Sequence, residues 1–131
     1  MPVTLSHNPQ KKILYITVIG PLLFEDFFAA MEQISHSDEY PPDIPTLWDL
    51  RETDIQGWDQ TFLKKILRTR KEYGERMHAK VSLIASSDLA YGMGRMFEAL
   101  SQDAATPQKI MVFRDFEEGE NWLLAHDSKT E

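Results

Sequence analysis

The sequence predicts an α/β fold with a mostly parallel sheet of about five strands, about four helices and an antiparallel edge strand at the N-terminus. Two observations support this prediction. The first is a set of short apolar runs rich in β-branched residues, and the second is a set of longer segments whose apolar residues recur at helical spacing. The two kinds of segment alternate along the chain. This order is typical of parallel strands joined by right-handed crossover helices, with helices on both faces of the sheet.

The composition is that of one ordinary globular domain. The 131 residues are 42% hydrophobic and 27% charged, without an internal repeat or linker, so we expect residues 1–131 to form a single domain. The chain has no cysteine, which excludes disulfides and cysteine metal sites and agrees with a reducing compartment. Because no signal-like N-terminus or membrane-length apolar run is visible, the expected location is the cytoplasm, with no transmembrane segment.

The N-terminal strands form a predicted hairpin. Residues 3–6 alternate weakly between apolar and polar, and residues 7–10 are typical of a turn. The run Ile13–Ile19 is almost entirely apolar and is closed by Gly20 and Pro21, which indicates a strand covered on both faces.

The middle of the chain predicts a helix, a strand and a second helix. Apolar residues between positions 24 and 34 fall on one helical face, and the proline-rich segment 36–45 ends that helix. Residues 46–50 predict a short strand and residues 51–57 a loop. From Trp58 onward the apolar spacing again predicts an amphipathic helix.

The C-terminal part repeats the pattern. A buried strand is predicted at 80–85, a helix from Ser86 or Ser87, and another strand at 109–113 after a loop at 105–108. Asp115, with Glu118 three residues later, has the pattern of a helix N-cap and its reciprocal partner. The helix that starts at Ser86 or Ser87 is expected to bury one apolar face: Leu89, Met93, Met96, Phe97 and Leu100. The polar tail 126–131 is expected to fray.

Charge is distributed unevenly in this acidic protein. The formal net charge is −7, which argues against nucleic-acid binding because that affinity depends on a basic surface. Half of the 14 basic residues nevertheless lie within positions 64–80, mostly on the outward side of the second predicted helix. They are Lys64, Lys65, Arg68, Arg70, Lys71, Arg76 and Lys80. The alternatives are a solvated helix face and a docking surface for an acidic protein or an anionic lipid headgroup; the candidate partner-binding residues are Lys64, Lys65, Arg68 and Lys71.

Three segments carry a resemblance to a known family: IPTLWDLRE at 44–52, VSLIASSDLAYGMGRMFEAL at 81–100 and IMVFRDFEEGENWL at 110–123. On these segments the chain resembles the SpoIIAA-like family, a branch of the STAS fold that is also compared with CRAL-TRIO lipid-transfer domains. The resemblance covers nearly the whole chain, and it implies a STAS-like sheet and a regulatory role through a protein partner.

STAS domains that act as anti-sigma factor antagonists are switched by phosphorylation of a serine in a D-S-S-G-like loop at a helix start. The nearest string in this chain is Asp54-Ile55-Gln56-Gly57, with Gln56 at the position of that serine. The resemblance therefore does not extend to a phosphorylation switch at this loop.

The start of the third predicted helix has features of an anion site. A serine there caps the helix, and glycines in its opening turns permit close approach of a ligand or another backbone. Arg95 then joins the free backbone amides in holding a phosphate or carboxylate. The alternative is that Arg95 forms a structural ion pair with Asp88, Asp49 or Asp54. The candidate ligand-binding residues at the carboxyl ends of the strands are Asp49, Asp54, Ser86, Ser87, Tyr91, Gly92 and Arg95.

The sequence gives little support for catalysis. The histidines have no metal-ligand spacing, and no nucleotide, P-loop or nucleophile-elbow motif is present, so no catalytic residue, metal or cofactor is expected. A non-catalytic regulatory or protein-interaction module is the favoured hypothesis. The second is a binder or carrier of a small lipid-like or anionic ligand, in which methionine-rich helices part to admit an apolar molecule. The third is an uncharacterised hydrolase. A homodimer through a helix face is compatible with all three.

Overall fold

The computed structural model describes residues 2–73, 79–102 and 109–125. Five strands and four helices follow one another in these ranges. The strands are β1 (Val3–Asn8), β2 (Ile13–Pro21), β3 (Thr46–Asp54), β4 (Val81–Ile84) and β5 (Ile110–Phe113). The helices are α1 (Phe24–Ser35), α2 (Gln60–Lys71), α3 (Asp88–Gln102) and α4 (Phe116–Leu124). The predicted loop at 105–108 and tail at 126–131 lie outside the described residues, as do Arg76, His78 and His126.

The strands form one sheet in the order β1-β2-β3-β4-β5. β1 pairs antiparallel with β2, and the other neighbours pair in parallel. This arrangement confirms the predicted fold class. The hairpin between β1 and β2 turns at Asn8, whose side-chain oxygen accepts hydrogen bonds from the backbone of Gln10 and Lys11.

Helices cover both faces of the sheet, as predicted, but unequally. Buried residues of α1, α2 and α3 form one core cluster with one face of the sheet, which we call the three-helix face. Leu123 of α4 packs with Ile13, Leu47 and Ile84 on the opposite face, the α4 face. The successive crossovers from β2 to β5 run in one direction across the sheet, which places their helices on the same side.

β3 is longer than the sequence predicted. The segment 51–54, expected as part of a loop, continues the strand to Asp54. The reason is the length of β2, whose last residues Ile19–Pro21 pair with Glu52–Asp54. Polar side chains in this extension are exposed because it lies at the end of the sheet, so their pattern resembles that of a loop.

α2 begins later than predicted, at Gln60 rather than at Trp58. The N-cap is Asp59, whose carboxylate accepts a hydrogen bond from the backbone amide of Phe62 at 2.9 Å. Asp115 caps α4 in the same way, as predicted, with Glu118 N at 3.0 Å.

The buried face of α3 differs from the predicted one. Phe97 is buried, but Leu89 is 66% exposed and Met96 is 40% exposed. The helix instead turns Gly94 towards the sheet, where an added Cβ would lie 2.5 Å from Val112 Cγ2. Gly94 therefore allows close approach of α3 to β5, while a Cβ on exposed Gly92 would meet nothing within 4 Å. Within the described ranges, none of the helices is both long and apolar enough to span a bilayer.

Candidate functional site

The start of α3 holds an arginine, but it is Arg114 rather than Arg95. Ser87 caps the helix, as expected, through a 3.1 Å hydrogen bond from the backbone amide of Ala90 to its hydroxyl. The Arg114 guanidinium donates to the Ser86 carbonyl at 3.2 Å, pairs with Asp88 at 2.9 Å and lies 4.4 Å from the Tyr91 ring centroid. Residues that were predicted to bind an anion, among them Ser86 and Tyr91, therefore contact the Arg114 side chain, which follows β5.

Arg95 lies farther along α3, where it approaches Glu98 at 3.7 Å. The acidic residue nearest Arg95 is therefore Glu98, and the predicted partners Asp88, Asp49 and Asp54 are wrong. Glu98 also accepts a hydrogen bond from the backbone amide of Val112 at 2.6 Å. Because β5 is an edge strand, this contact occupies a backbone donor that would otherwise be open to another strand.

The two candidate aspartates are five residues apart in β3, which places them roughly 16 Å apart along the strand. Asp49 is in the middle of the strand, not at its carboxyl end as expected, and its carboxylate binds Arg51 at 2.7 and 2.8 Å. This hydrogen-bonded guanidinium holds the pKa of Asp49 below its usual range. Asp54 ends the strand and accepts from the backbone amide of Gln56 at 3.0 Å. The two carboxylates therefore do not form a catalytic pair.

The outward face of α2 carries Lys64, Lys65, Arg68 and Lys71, all exposed. The Lys65 ammonium lies 4.1 Å from the Phe24 ring centroid on α1, and Phe24 stacks with Phe28. We call these four basic residues with Phe24 and Phe28 the basic-aromatic surface.

Arg70 departs from the predicted outward basic face. It is 8% exposed, and its guanidinium donates to the Ala79 carbonyl at 3.2 Å.

A cavity of about 80 Å³ lies between the sheet and the three helices of the three-helix face. Strands β3, β4 and β5, helices α1, α2 and α3 and the loops before α1 and α2 contribute to its wall, which is apolar apart from Arg70. The principal lining residues are Phe27, Met31, Trp48, Leu50, Leu63, Ile66, Leu83 and Phe97.

The opening of this cavity can be placed from the exposure of its wall. The described lining residues are buried except Trp58, Phe62, Ala90 and Met93, which are partly exposed. Trp58 precedes α2, Phe62 lies in its first turn, and Ala90 and Met93 lie in the first two turns of α3, next to the carboxyl ends of β3 and β4. The cavity therefore opens at the edge of the sheet where parallel α/β folds commonly bind ligands.

Sequence reasoning expected an apolar ligand between α1 and α3 but missed the contributions of α2 and of the sheet. No sequence signal marks a cavity of this kind, since its lining residues have the spacing of ordinary core positions. Among the described residues, no three histidine, aspartate or glutamate side chains lie together as metal ligands.

No family model and no curated protein matches this sequence. Among solved structures, the chain is similar to an uncharacterized protein from the DUF3478 family with a SpoIIAA-like fold, from Shewanella loihica PV-4. The two share 20% identity over 92% of this chain and 91% of the other, with a TM-score of 0.61. The chain thus has a SpoIIAA-like α/β fold, which confirms the fold that the sequence resemblance implied.

Proposed function

We propose that this chain is a non-catalytic cytoplasmic binding domain that takes a small apolar ligand in the cavity of its three-helix face. The observation that carries this proposal is the cavity itself. Protein cores contain few voids larger than a water molecule. An apolar ligand in this space of about 80 Å³ would gain packing contacts that the apolar wall otherwise lacks.

The wall of the cavity fits an apolar guest. Ligand sites are usually lined by hydrophobic and aromatic side chains and measure roughly 300–1,000 Å³. The present cavity is smaller, so it suits a small molecule or one end of a larger one. Met31 and Met93 lie in the wall, and methionine side chains rearrange at low cost to accommodate a guest.

Benzene is a suitable probe because apolar cavities of proteins bind it. Addition of benzene to the labelled protein should shift the NMR methyl signals of Leu83 and Met93 in a saturable way. Ala90→Phe places a ring at the opening and should weaken binding at least tenfold. Ala99→Phe is the matched control, because Ala99 lies on the exposed side of the same helix and should leave binding unchanged. Shifts that do not saturate, or that survive Ala90→Phe, would contradict the proposal.

The regulatory protein-interaction module, which the sequence favoured, is the second candidate here, and the basic-aromatic surface supports it. Four exposed basic residues on an acidic protein favour an acidic partner, and Phe28, 43% exposed beside them, adds an apolar contact. Aromatic residues and arginine are enriched in protein interfaces, and Phe24, Phe28 and Arg68 are of these types.

A peptide of ten glutamates tests this second candidate. Lys64→Glu should weaken binding several-fold, whereas Lys12→Glu makes the same change of charge in the β1–β2 turn and should have little effect. Equal losses in both variants would show that only the overall charge matters. Tighter binding to phosphatidylserine vesicles than to the peptide would favour a lipid headgroup instead.

The other expectations stay predictions. An anion site at Ser86, Ser87, Tyr91, Gly92 and Arg95, with Asp49 and Asp54, now has to accommodate Arg114 at the start of α3. The homodimer is untested; Leu89 and Met96 are the exposed apolar residues of α3 that would suit it.

A further inference from the structure

A second, smaller cavity adjoins the first. Its volume is about 20 Å³, and Met31, Trp48 and Arg70 line both cavities. The two spaces therefore adjoin at these shared side chains. The smaller cavity lies deeper, between the beginnings of β3 and β4 and the C-terminal parts of α1 and α2, at the end of the sheet away from the opening.

The smaller cavity has a polar group that the fold leaves unused. Thr46 lines it, and the buried Oγ1 of Thr46 has no hydrogen-bond partner in the part of the chain that the structure describes. Burying a hydroxyl without a partner costs free energy, and most buried polar side-chain atoms are hydrogen-bonded. The Thr46 hydroxyl is therefore able to form a directional hydrogen bond with a ligand in the smaller cavity.

The shape and chemistry of the two cavities together describe an amphipathic guest. The outer cavity is apolar apart from Arg70 and is open to solvent beside Trp58 and Met93, whereas both Thr46 and Arg70 line the smaller inner one. A molecule that fills both spaces has an apolar body towards the opening and a polar group at its inner end.

Building on the proposed function, we infer that the ligand carries a hydroxyl group that hydrogen-bonds Thr46 Oγ1. A hydroxyl both donates and accepts, as does threonine, so the pair forms in either direction. Burial of a carboxylate costs far more than burial of a hydroxyl unless the charge is paired, and pairing with the Arg70 guanidinium, which also donates to the Ala79 carbonyl, is the alternative that benzoate tests. The ligand class is therefore an alcohol or a phenol.

Benzene, phenol and benzoate test this inference, since they share one ring and differ in the polar group. Affinities are measured by NMR titration of the wild type and of Thr46→Val, which keeps the shape of the side chain. Phenol should bind the wild type about tenfold more tightly than benzene. Thr46→Val should remove that difference by weakening phenol and leaving benzene unchanged. Ser82→Ala is the control, because its buried hydroxyl also lacks a partner in the described chain but lies on the α4 face.

The outcomes separate this inference from the proposed function. Binding of none of the three probes overturns both. Equal affinities of benzene and phenol in the wild type overturn only the hydroxyl inference, and a water molecule then accounts for the smaller cavity. A preference for phenol that survives Thr46→Val, or a preference for benzoate, overturns it as well. A nuclear Overhauser contact between phenol and the Thr46 methyl group supports it independently of the variants.

Discussion

The two faces of the sheet are covered in different ways. Three helices share the three-helix face, and their apolar side chains leave a cavity of about 80 Å³. Within the described ranges, α4 is the one helix that packs against β3, β4 and β5 on the other face. A single nine-residue helix buries little apolar surface, so polar and aromatic contacts at its rim supplement the packing.

The rim of α4 shows what these contacts are. Glu120 accepts hydrogen bonds from Tyr15 and, at 3.1 Å, from Lys11. The Arg51 guanidinium lies 5.3 Å from the Phe116 ring centroid. The Lys80 ammonium donates to the Trp122 and Ala125 carbonyls at 3.1 Å each, at the C-terminal end of the helix where a cation is favoured.

The two faces also differ in how closely their helices pack against the sheet. Close backbone contacts fix one helix on each face through a glycine, Gly94 in α3 and Gly119 in α4. The middle of the three-helix face, under α2, retains empty space. Binding is therefore expected on the three-helix face rather than on the α4 face.

The largest predicted effect comes from adding a methyl group at these two glycines. In Gly94→Ala the new Cβ would lie 2.5 and 2.8 Å from Val112 Cγ2 and Cβ, and Val112 Cβ is fixed to the backbone. We expect a loss of about 1–3 kcal/mol in the free energy of unfolding, measured by urea denaturation. Gly119→Ala meets the Ile84 terminal methyl and the Ser82 hydroxyl, which can rotate away, so its loss should be smaller.

Gly92→Ala is the control for helix propensity. Nothing lies within 4 Å of the added Cβ, so alanine should stabilise α3 by up to about 1 kcal/mol. A destabilised Gly92→Ala, or a Gly94→Ala protein as stable as the wild type, would refute the assignment of Gly94 as the close contact.

The next effect concerns the two buried hydroxyls, one on each face. Ser82→Ala removes an unpartnered oxygen beside Gly119 and should raise the free energy of unfolding by about 1 kcal/mol. Thr46→Val should gain less in the absence of ligand, because its hydroxyl faces a cavity large enough for one water molecule. Urea denaturation of both variants measures the difference, and an equal gain would mean that the smaller cavity is dry.

Most of the fold was predictable because its signals are local. The apolar runs of β2 and β4, the Asp115 cap and the alternation of elements depend on neighbours in the chain. The errors have tertiary causes. β3 extends to Asp54 because β2 is long enough to pair with it, and α3 exposes Leu89 because Gly94 allows a different face to approach β5.

The site was less predictable than the fold. Ser87 as a helix cap was readable from its position, but the arginine beside it comes from the end of β5, a relation that only the folded sheet creates. Arg70 lies four and three residues after Ile66 and Leu67, on the buried face of α2, but its charge grouped it with the surface residues Arg68 and Lys71. The cavity lies between side chains of strands and helices that are distant in the sequence, so no single segment of the sequence indicates it.

The smallest predicted effect compares two tyrosine–glutamate pairs. Tyr15 binds Glu120 on the α4 face, and Tyr73 binds Glu32 at 2.6 Å beside α1. The Glu120 side chain is 15% exposed and the Glu32 side chain 43%. Because solvent screens the more exposed pair, Tyr15→Phe should cost up to about 1 kcal/mol of unfolding free energy and Tyr73→Phe less.

The pH dependence of unfolding gives these two variants a signature that lost packing does not produce. Burial, and then the hydrogen bond to Glu120, raises the pKa of Tyr15, while burial and Glu32 raise the pKa of Tyr73 to about 12. A raised tyrosine pKa contributes stability that is complete below pH 10 and is lost as pH rises above it.

The hydrogen bond from Tyr15, and then Lys11, lowers the pKa of Glu120, so that stability is present above pH 4.5 and is lost in acid. Urea denaturation between pH 3 and pH 11 should therefore give a flatter profile for Tyr15→Phe at both ends, and a profile parallel to that of the wild type would show that the pair contributes no net stability.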